Sequence, residues 1–175
     1  MHEIKDGKMT VSTGIVFKIG EAAIYVLDAV RRKVKKEEPQ VPVVYIKDKD
    51  RDEPNPNDPD YLKALAQWEE NMTDKLTDAS ILMSVSVDKL PDGFPKVEDE
   101  SWAKKLELLG IDIPDNPDER FLLWVKCCAA PTAEDIYSLF LACARKIGVP
   151  EEDVADSSAL FRNRKKRGTN RRASD

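Results

Sequence analysis

Histidine is nearly absent from this sequence, and the one imidazole belongs to His2, beside the N-terminal methionine. Catalytic sites that pair a serine or cysteine nucleophile with a histidine base need a firmly positioned imidazole, and terminal residues are commonly frayed. A Ser-His-Asp or Cys-His site is therefore close to excluded. Mechanisms that use only lysine or carboxylate groups stay open, but in so charged a chain most such groups form solvated surface. We expect no enzyme.

Cysteine is also scarce, with only Cys127, Cys128 and Cys143. An odd number that includes an adjacent pair does not suit the disulfide framework of a small secreted protein. No spacing of cysteine and histidine suits zinc, and the chain has no glycine-rich phosphate loop. We expect no metal, no cofactor and no redox role, with Cys128 and Cys143 behaving as small apolar residues in buried helices.

Long apolar runs are missing, since none approaches the roughly 20 residues that cross a bilayer. The first six residues have no apolar run of the signal-peptide type, so we expect a protein that contacts no membrane and stays where it is made.

Charged residues are plentiful, but the two signs are segregated along the sequence. The net charge is -5, of which residues 161–175 contribute +6 and residues 1–160 contribute -11. An acidic body with a basic tail could bind an acidic surface or fold the tail back on itself.

Residues 1–47 predict a small ββαβ unit. Asp6-Gly7 is a strong hairpin signal because both residues accept the positive φ of a type I′ turn. A second stretch of strand character follows at 14–19, and apolar residues at helical spacing predict a helix over 21–36. Val43–Ile46, preceded by Pro42, predicts a further strand.

Residues 48–60 predict a charged, proline-rich loop that ends in a helix start. Asp58 can cap a helix and Pro59 can occupy its first turn. The helix that follows opens a predicted helical domain over 61–161. Its apolar stripe at steps of three and four is Leu65, Trp68, Met72, Leu76, Ala79 and Met83.

Further helices are predicted in the same domain. They cover 101–109, 117–129 behind an Asn116 cap, 133–147 behind a Thr132 cap with Asp135 at the third position, and a short segment over about 151–161. Their aromatic residues include Trp102 and Trp124. Together with Trp68, these tryptophans are expected mainly in the core, and an exposed tryptophan would be an anchor for a partner.

Residues 162–175 predict a disordered basic tail, since they have almost nothing apolar to bury. Cations of this kind can neutralise phosphates. However, the tail lacks the aromatic residues that stack on bases, and the acidic body repels nucleic acid. A solubilising or protein-docking role is therefore favoured over nucleic-acid binding. The overall prediction is an α+β fold, with a small N-terminal sheet and one helix, a predominantly helical remainder and this tail.

Several segments in this order resemble a known family. They are residues 41–46, the segment Asn-Pro-Asn-Asp-Pro-Asp-Tyr-Leu at 55–62 before the Trp68 helix, Phe-Leu-Leu-Trp at 121–124, and Gly-Val-Pro-Glu-Glu-Asp-Val at 148–154 followed by Phe-Arg at 161–162. The combination, which spans roughly residues 10 to 162, resembles the tail assembly chaperones of siphovirus-type bacteriophages. The most specific piece is Asn-Pro-Asn-Asp-Pro followed by an acidic residue and tyrosine.

The resemblance implies a non-catalytic protein of the host bacterial cytoplasm. It would bind the long helical tape measure protein and help tail tube protein subunits polymerise around it. Self-association is left open. The alternatives are a small nucleic-acid-associated or regulatory protein that acts through the basic tail, and a minor structural component of the tail. The candidate partner-binding residues are Tyr61, Leu65, Trp68, Met72, Trp124, Arg164, Lys165, Lys166 and Arg167.

Overall fold

The structure, a computed structural model, describes residues 4–21 and 23–146 and has an α+β fold, as predicted. Two short antiparallel sheets accompany five α-helices. The strands are β1 (Ile4–Lys5), β2 (Lys8–Thr10), β3 (Val16–Ile19), β4 (Val43–Ile46), β5 (Arg51–Pro54) and β6 (Val85–Lys89). The helices are α1 (Ile24–Lys35), α2 (Pro59–Ser84), α3 (Glu100–Glu107), α4 (Pro117–Trp124) and α5 (Ala133–Lys146).

The N-terminal hairpin forms as the sequence predicts. Asp6 and Gly7 both have positive φ, and they connect β1 to β2 with Lys5 opposite Lys8. The sheet has the order β1-β2-β3-β6 and is antiparallel throughout. Met9 lies opposite Phe17, and both side chains are buried, so this face of the sheet closes one side of the core.

The predicted ββαβ unit is wrong in its last strand. β4 exists, but it pairs with β5 in a separate two-stranded sheet. β5 lies in the segment 48–60, which was predicted to be a loop, and a 3-10 turn over Lys47–Lys49 precedes it. β4 pairs with a strand that begins five residues after it ends, whereas both edges of β3 are occupied by β2 and β6.

The fourth strand of the main sheet is β6, which the sequence did not predict. The helical spacing of the α2 stripe runs as far as Met83, and no glycine or proline marks the change of period at Val85. Only two apolar residues, Val85 and Val87, then alternate with polar ones, which is a weak strand signal. Because β6 comes from the predicted helical part, this sheet joins both predicted parts of the chain.

The start of α2 is confirmed in detail. The Asp58 carboxylate accepts hydrogen bonds from the backbone N–H groups of Asp60 and Tyr61, each at 3.0 Å, and Pro59 occupies the first turn. With 26 residues, α2 is about 39 Å long. Its buried residues all lie in its last third, where it enters the core, and they are Thr77, Ser80, Ile81 and Ser84.

The remaining helices match their predicted positions to within a few residues, apart from one local change. α4 begins behind Asn116, whose side chain accepts from the first-turn amides. After Trp124 the helix widens into a π-helical turn over Val125–Ala129, and Ala130 N donates to Val125 O at 2.7 Å. The predicted helix over 151–161 and the predicted disordered tail over 162–175 lie outside the described residues.

A partly buried polar contact joins the loop between β2 and β3 to α5. Asp135 is completely buried, and its carboxylate accepts from Ser12 N at 2.8 Å and from Ser12 Oγ at 2.5 Å. Thr132 Oγ1 donates to the same carboxylate at 2.6 Å and accepts from Asp135 N at 3.0 Å. The predicted Thr132 cap is therefore confirmed, and its third residue also fixes the loop between β2 and β3.

Candidate partner-binding surface

The described residues from Ala23 to Leu76 form a substructure with almost no core, which we call the arm. It consists of α1, the β4–β5 hairpin and the first part of α2. Val34 is the one buried residue among the described residues of this span. The main apolar core takes its residues from Ile4–Ile19 and from Ile81 onward, with none from the arm. The arm is therefore attached to the folded body chiefly through the continuous helix α2.

Two hydrogen bonds fix how α1 lies along α2. Gly20 N donates to Ser84 O at 2.6 Å, so the chain enters α1 beside the end of α2. At the other end of α1, Trp68 Nε1 donates to Val34 O at 2.9 Å. The two helices are thus antiparallel, and the hairpin that follows α1 lies toward the N-terminal end of α2.

The Trp68 side chain is half-buried and connects α2 to α1 through this hydrogen bond. Val34 O belongs to the last turn of α1, where it already accepts a backbone hydrogen bond from Glu37 N at 3.0 Å. The Trp68 indole adds a second donor from α2, and Trp68 lines an open groove together with Glu37 and Pro39. Tyr61, Leu65 and Met72, the other candidate residues of α2, are also half-buried.

Trp124 is placed differently from the other candidates, and its assignment to a partner-binding surface is wrong for this conformation. Its side chain is 0% exposed, and Nε1 donates to Pro95 O at 3.1 Å. Its ring is stacked on Phe121 and meets Phe94 edge to face. An aromatic enclosed in this way is core, and Trp102 is core as well. The candidates Arg164, Lys165, Lys166 and Arg167 lie outside the described residues.

Several well-exposed apolar residues of the arm were not among the candidates predicted from the sequence. The Val43 and Tyr45 side chains are 61% and 55% exposed. The strand pattern identified β4, but no pattern in the sequence told which of its faces would be covered. The exposed large apolar residues of the arm are Ile24, Tyr25, Val41, Val43, Val44, Tyr45 and Leu62.

A second exposed apolar group lies on the body, just after α3. Leu108 is 87% exposed, and Leu109 and Ile111 are exposed beside it. Gly110 has a φ of 77°, and Ile111 N donates to Leu106 O while Gly110 N donates to Glu107 O. This pair of bonds is a Schellman motif, which ends the helix and leaves Leu108 and Leu109 in solvent.

The three cysteines are free thiols, in agreement with the prediction that they form no disulfide framework. Cys143 is buried as predicted, whereas Cys128 is only half-buried. Burial raises the pKa of Cys143 to about 11 and also raises the pKa of Cys127 and of Cys128. Each thiol is therefore held in its neutral form at physiological pH, in which it is a poor nucleophile.

Within residues 4–21 and 23–146, no group of three or more histidine, cysteine or acidic side chains is arranged to hold a metal ion. Among the same residues, no helix combines the length and the apolar character needed to cross a bilayer.

Comparisons with family models, with curated proteins and with solved structures find no match to this chain.

Proposed function

We propose that the chain is a non-catalytic assembly chaperone that binds another protein through its arm. The single observation that carries the proposal is the arm itself, a described span from Ala23 to Leu76 with one buried residue and seven exposed large apolar ones. Large exposed apolar patches commonly mark protein-interaction sites, and four of these seven residues lie together within residues 41–45.

The shape of the arm supports an elongated client. Tyr25 lies near the body, since α1 begins beside the end of α2, while Leu62 lies one turn into the far end of α2. Ile24 and Tyr25 thus lie near the body and Leu62 at the far end of the α1–α2 pair, while the other four exposed apolar residues lie within residues 41–45. An amphipathic helix of a partner could place its apolar face along such a surface. A net charge of -11 over residues 1–160 would keep the complex soluble.

The client that we propose is a phage tape measure protein, on the basis of the sequence resemblance described above. In this role the chain would act in the host bacterial cytoplasm, cover the apolar stripe of the helical client and release it to tail tube protein subunits. The residues proposed to contact the client include Tyr61, Leu65 and Met72 on α2 and the exposed positions Tyr25 and Leu62.

The direct test is co-expression of the full chain with the tape measure protein of the same genome. We expect the client to be soluble with the wild-type chain and to co-purify with it. Charged substitutions on the arm, Tyr25→Asp combined with Leu62→Asp, should return the client to the insoluble fraction. Leu108→Asp is the matched control, because it also replaces an exposed apolar residue but lies on the body.

The outcomes of this experiment are distinct. Loss of solubility with the arm variant alone supports the arm as the client site. If only Leu108→Asp makes the client insoluble, the client site lies on the body and not on the arm. If the wild-type chain does not keep the client soluble, the chaperone function is rejected.

The basic tail provides a second test, because seven of its 14 residues from 162 to 175 are Arg or Lys. If the tail binds nucleic acid, the full chain retards DNA or RNA on a gel near physiological salt, and deletion of residues 164–175 abolishes the shift. We expect no such shift, and we expect the deletion variant to keep its client. Retardation together with no effect on client solubility would favour the nucleic-acid alternative.

A further inference from the structure

The β4–β5 hairpin is a two-stranded sheet with two outer edges, and no other described helix or strand packs on it beyond sparse contacts. Hairpins of this size are only marginally stable alone in water. Outer edges also expose backbone N–H and C=O groups that can pair with another strand, so proteins protect them or use them. The two edges of this hairpin differ in that respect.

One hydrogen bond fixes which backbone groups point outward. Asn55 N donates to Pro42 O at 2.8 Å, so these two residues form a hydrogen-bonded pair of the antiparallel ladder. Such pairs alternate with non-hydrogen-bonded ones, and in the observed register the next hydrogen-bonded pair is Val44 with Glu53. The N–H and C=O groups of the intervening residues on β4, Val43 and Tyr45, therefore point away from β5.

The outer edge of β5 is protected against pairing. Its outward positions are Asp52 and Pro54, and Pro54 has no N–H to donate. The other residues of β5, Arg51 and Glu53, are charged. Charges and proline on an edge strand are the usual means of preventing edge-to-edge association.

The outer edge of β4 has no such protection. Its neighbouring proline, Pro42, lies at a position whose backbone groups face β5, so its missing N–H removes no donor from the outer edge. The strand Val43–Ile46 contains no charged residue. The side chains of Val43, Val44 and Tyr45 are all exposed.

We propose that this edge is an interface between two copies of the chain, in which β4 pairs antiparallel with β4 of a second copy about a twofold axis at Val44. In this register Val43 of each copy forms a hydrogen-bonded pair with Tyr45 of the other, which gives four backbone hydrogen bonds. Val44 faces Val44 of the second copy in a non-hydrogen-bonded pair. The two hairpins become one four-stranded sheet with the protected β5 strands at its edges.

The choice of a second copy as the occupant rests on self-complementarity. A twofold interface brings one patch against itself, so a patch with unpaired charges of one sign would repel its copy. Residues 42–46 face only one another in the proposed register, and none of them is charged. The client test changes Tyr25, Leu62 and Leu108 and leaves β4 unaltered, so failure of the client proposal and failure of this interface can be told apart.

Proline substitutions test the interface through the backbone. Val43→Pro removes the outward N–H of β4 and leaves the hydrogen bonds to β5 intact. We expect sedimentation equilibrium over a dilution series to give a wild-type dimer, and Val43→Pro to raise its dissociation constant roughly tenfold or more, since two of the four bonds are lost. Val43→Ala controls for the side chain, and Asp52→Pro, which removes an outward N–H of β5, should leave the dimer intact.

A cysteine at the twofold axis gives an independent test. In a non-hydrogen-bonded antiparallel pair the Cα atoms are about 4.5 Å apart, within the range that a disulfide spans. In a Cys127→Ser, Cys128→Ser background, Val44→Cys should therefore form an intermolecular disulfide under mild oxidation. Asp52→Cys should not, because the two β5 strands would be three strand spacings, about 14 Å, apart.

Three results would overturn the proposal. They are a wild-type chain that stays monomeric at all concentrations, a dimer that Val43→Pro does not weaken, and equal cross-linking of the Val44→Cys and Asp52→Cys variants.

Discussion

The indole Nε1 of Trp68 donates a hydrogen bond to the backbone carbonyl of Val34, 2.9 Å away, and so joins α2 to the last turn of α1. Val34 is also the one buried residue among the described residues from Ala23 to Leu76. The order of the arm thus depends on a small contact between two helices. We expect loss of this contact to destabilise the arm and to leave the stability of the body nearly unchanged, because the main core contains no residue of the arm.

Trp68→Ala should therefore loosen the arm selectively. Complete truncation of a core tryptophan costs about 3–5 kcal/mol, but Trp68 is only half-buried, so we expect a smaller loss of global stability. The informative measurement is amide hydrogen exchange, which should accelerate in α1 and remain slow in α5.

Trp68→Phe is the matched control for the hydrogen bond, because it keeps an aromatic ring and removes the donor. It should cost about 0.5–1.5 kcal/mol. Unchanged protection of α1 in Trp68→Ala would show that another contact holds the arm.

Asp58→Ala should destabilise the start of α2, because the first-turn amides of Asp60 and Tyr61 lose their acceptor. The expected cost is about 0.5–2 kcal/mol by urea denaturation. Asp58→Asn keeps an acceptor oxygen at the same place and should stay close to wild type. If both substitutions lower stability equally, the charge of Asp58 and not its capping bonds is responsible.

Asp135→Ala should destabilise the body. It leaves Ser12 N and the hydroxyl groups of Ser12 and Thr132 without their acceptor. Asp135 is completely buried, whereas Ser12 and Thr132 are exposed, so water can satisfy part of what the carboxylate leaves, and we expect a loss of roughly 1–3 kcal/mol.

Asp99→Ala is the control for that substitution, since Asp99 accepts one exposed backbone bond from Lys96 N at 2.8 Å. Its cost should be about 1 kcal/mol or less. Equal denaturation midpoints for the two variants would mean that the Asp135 contacts contribute little to folding.

Features set by neighbours in sequence were predictable, and those set by distant partners were not. Asp6-Gly7, the Asp58 cap and the Asn116 cap each depend on a few adjacent residues, and each forms as predicted. The pairing of β4 with β5 was missed although the two strands are close in sequence, because β5 consists of three charged residues and a proline and forms a strand only by pairing with β4. β6 was also not predicted. It is short and has only two apolar residues, so its strand structure depends on pairing with β3.

In the candidate partner-binding surface, too, local features were predictable and features that depend on tertiary packing were not. The stripe that contains Leu65, Trp68 and Met72 was predicted as one apolar face of a helix, and all three side chains are half-buried. Spacing alone could not separate Trp68, at the edge of the arm, from Trp124 in the core, because both occupy apolar positions of helices. The number of elements packed around each residue decides its exposure, and that number is a property of the tertiary fold.

The buried thiol of Cys143 predicts an alkaline limit to stability. Burial raises its pKa from 9.0 to about 11, so the folded chain retains this proton in a range where the unfolded chain has lost it. The favourable contribution is complete below pH 9 and is lost progressively as the pH rises toward 11. In that window the free energy of unfolding should fall by at most about 1.4 kcal/mol per pH unit from this group. Urea denaturation at several pH values checks the slope, and Cys143→Ala, which has no thiol to ionise, should show a shallower one. An identical slope in the variant would assign the alkaline loss to other groups.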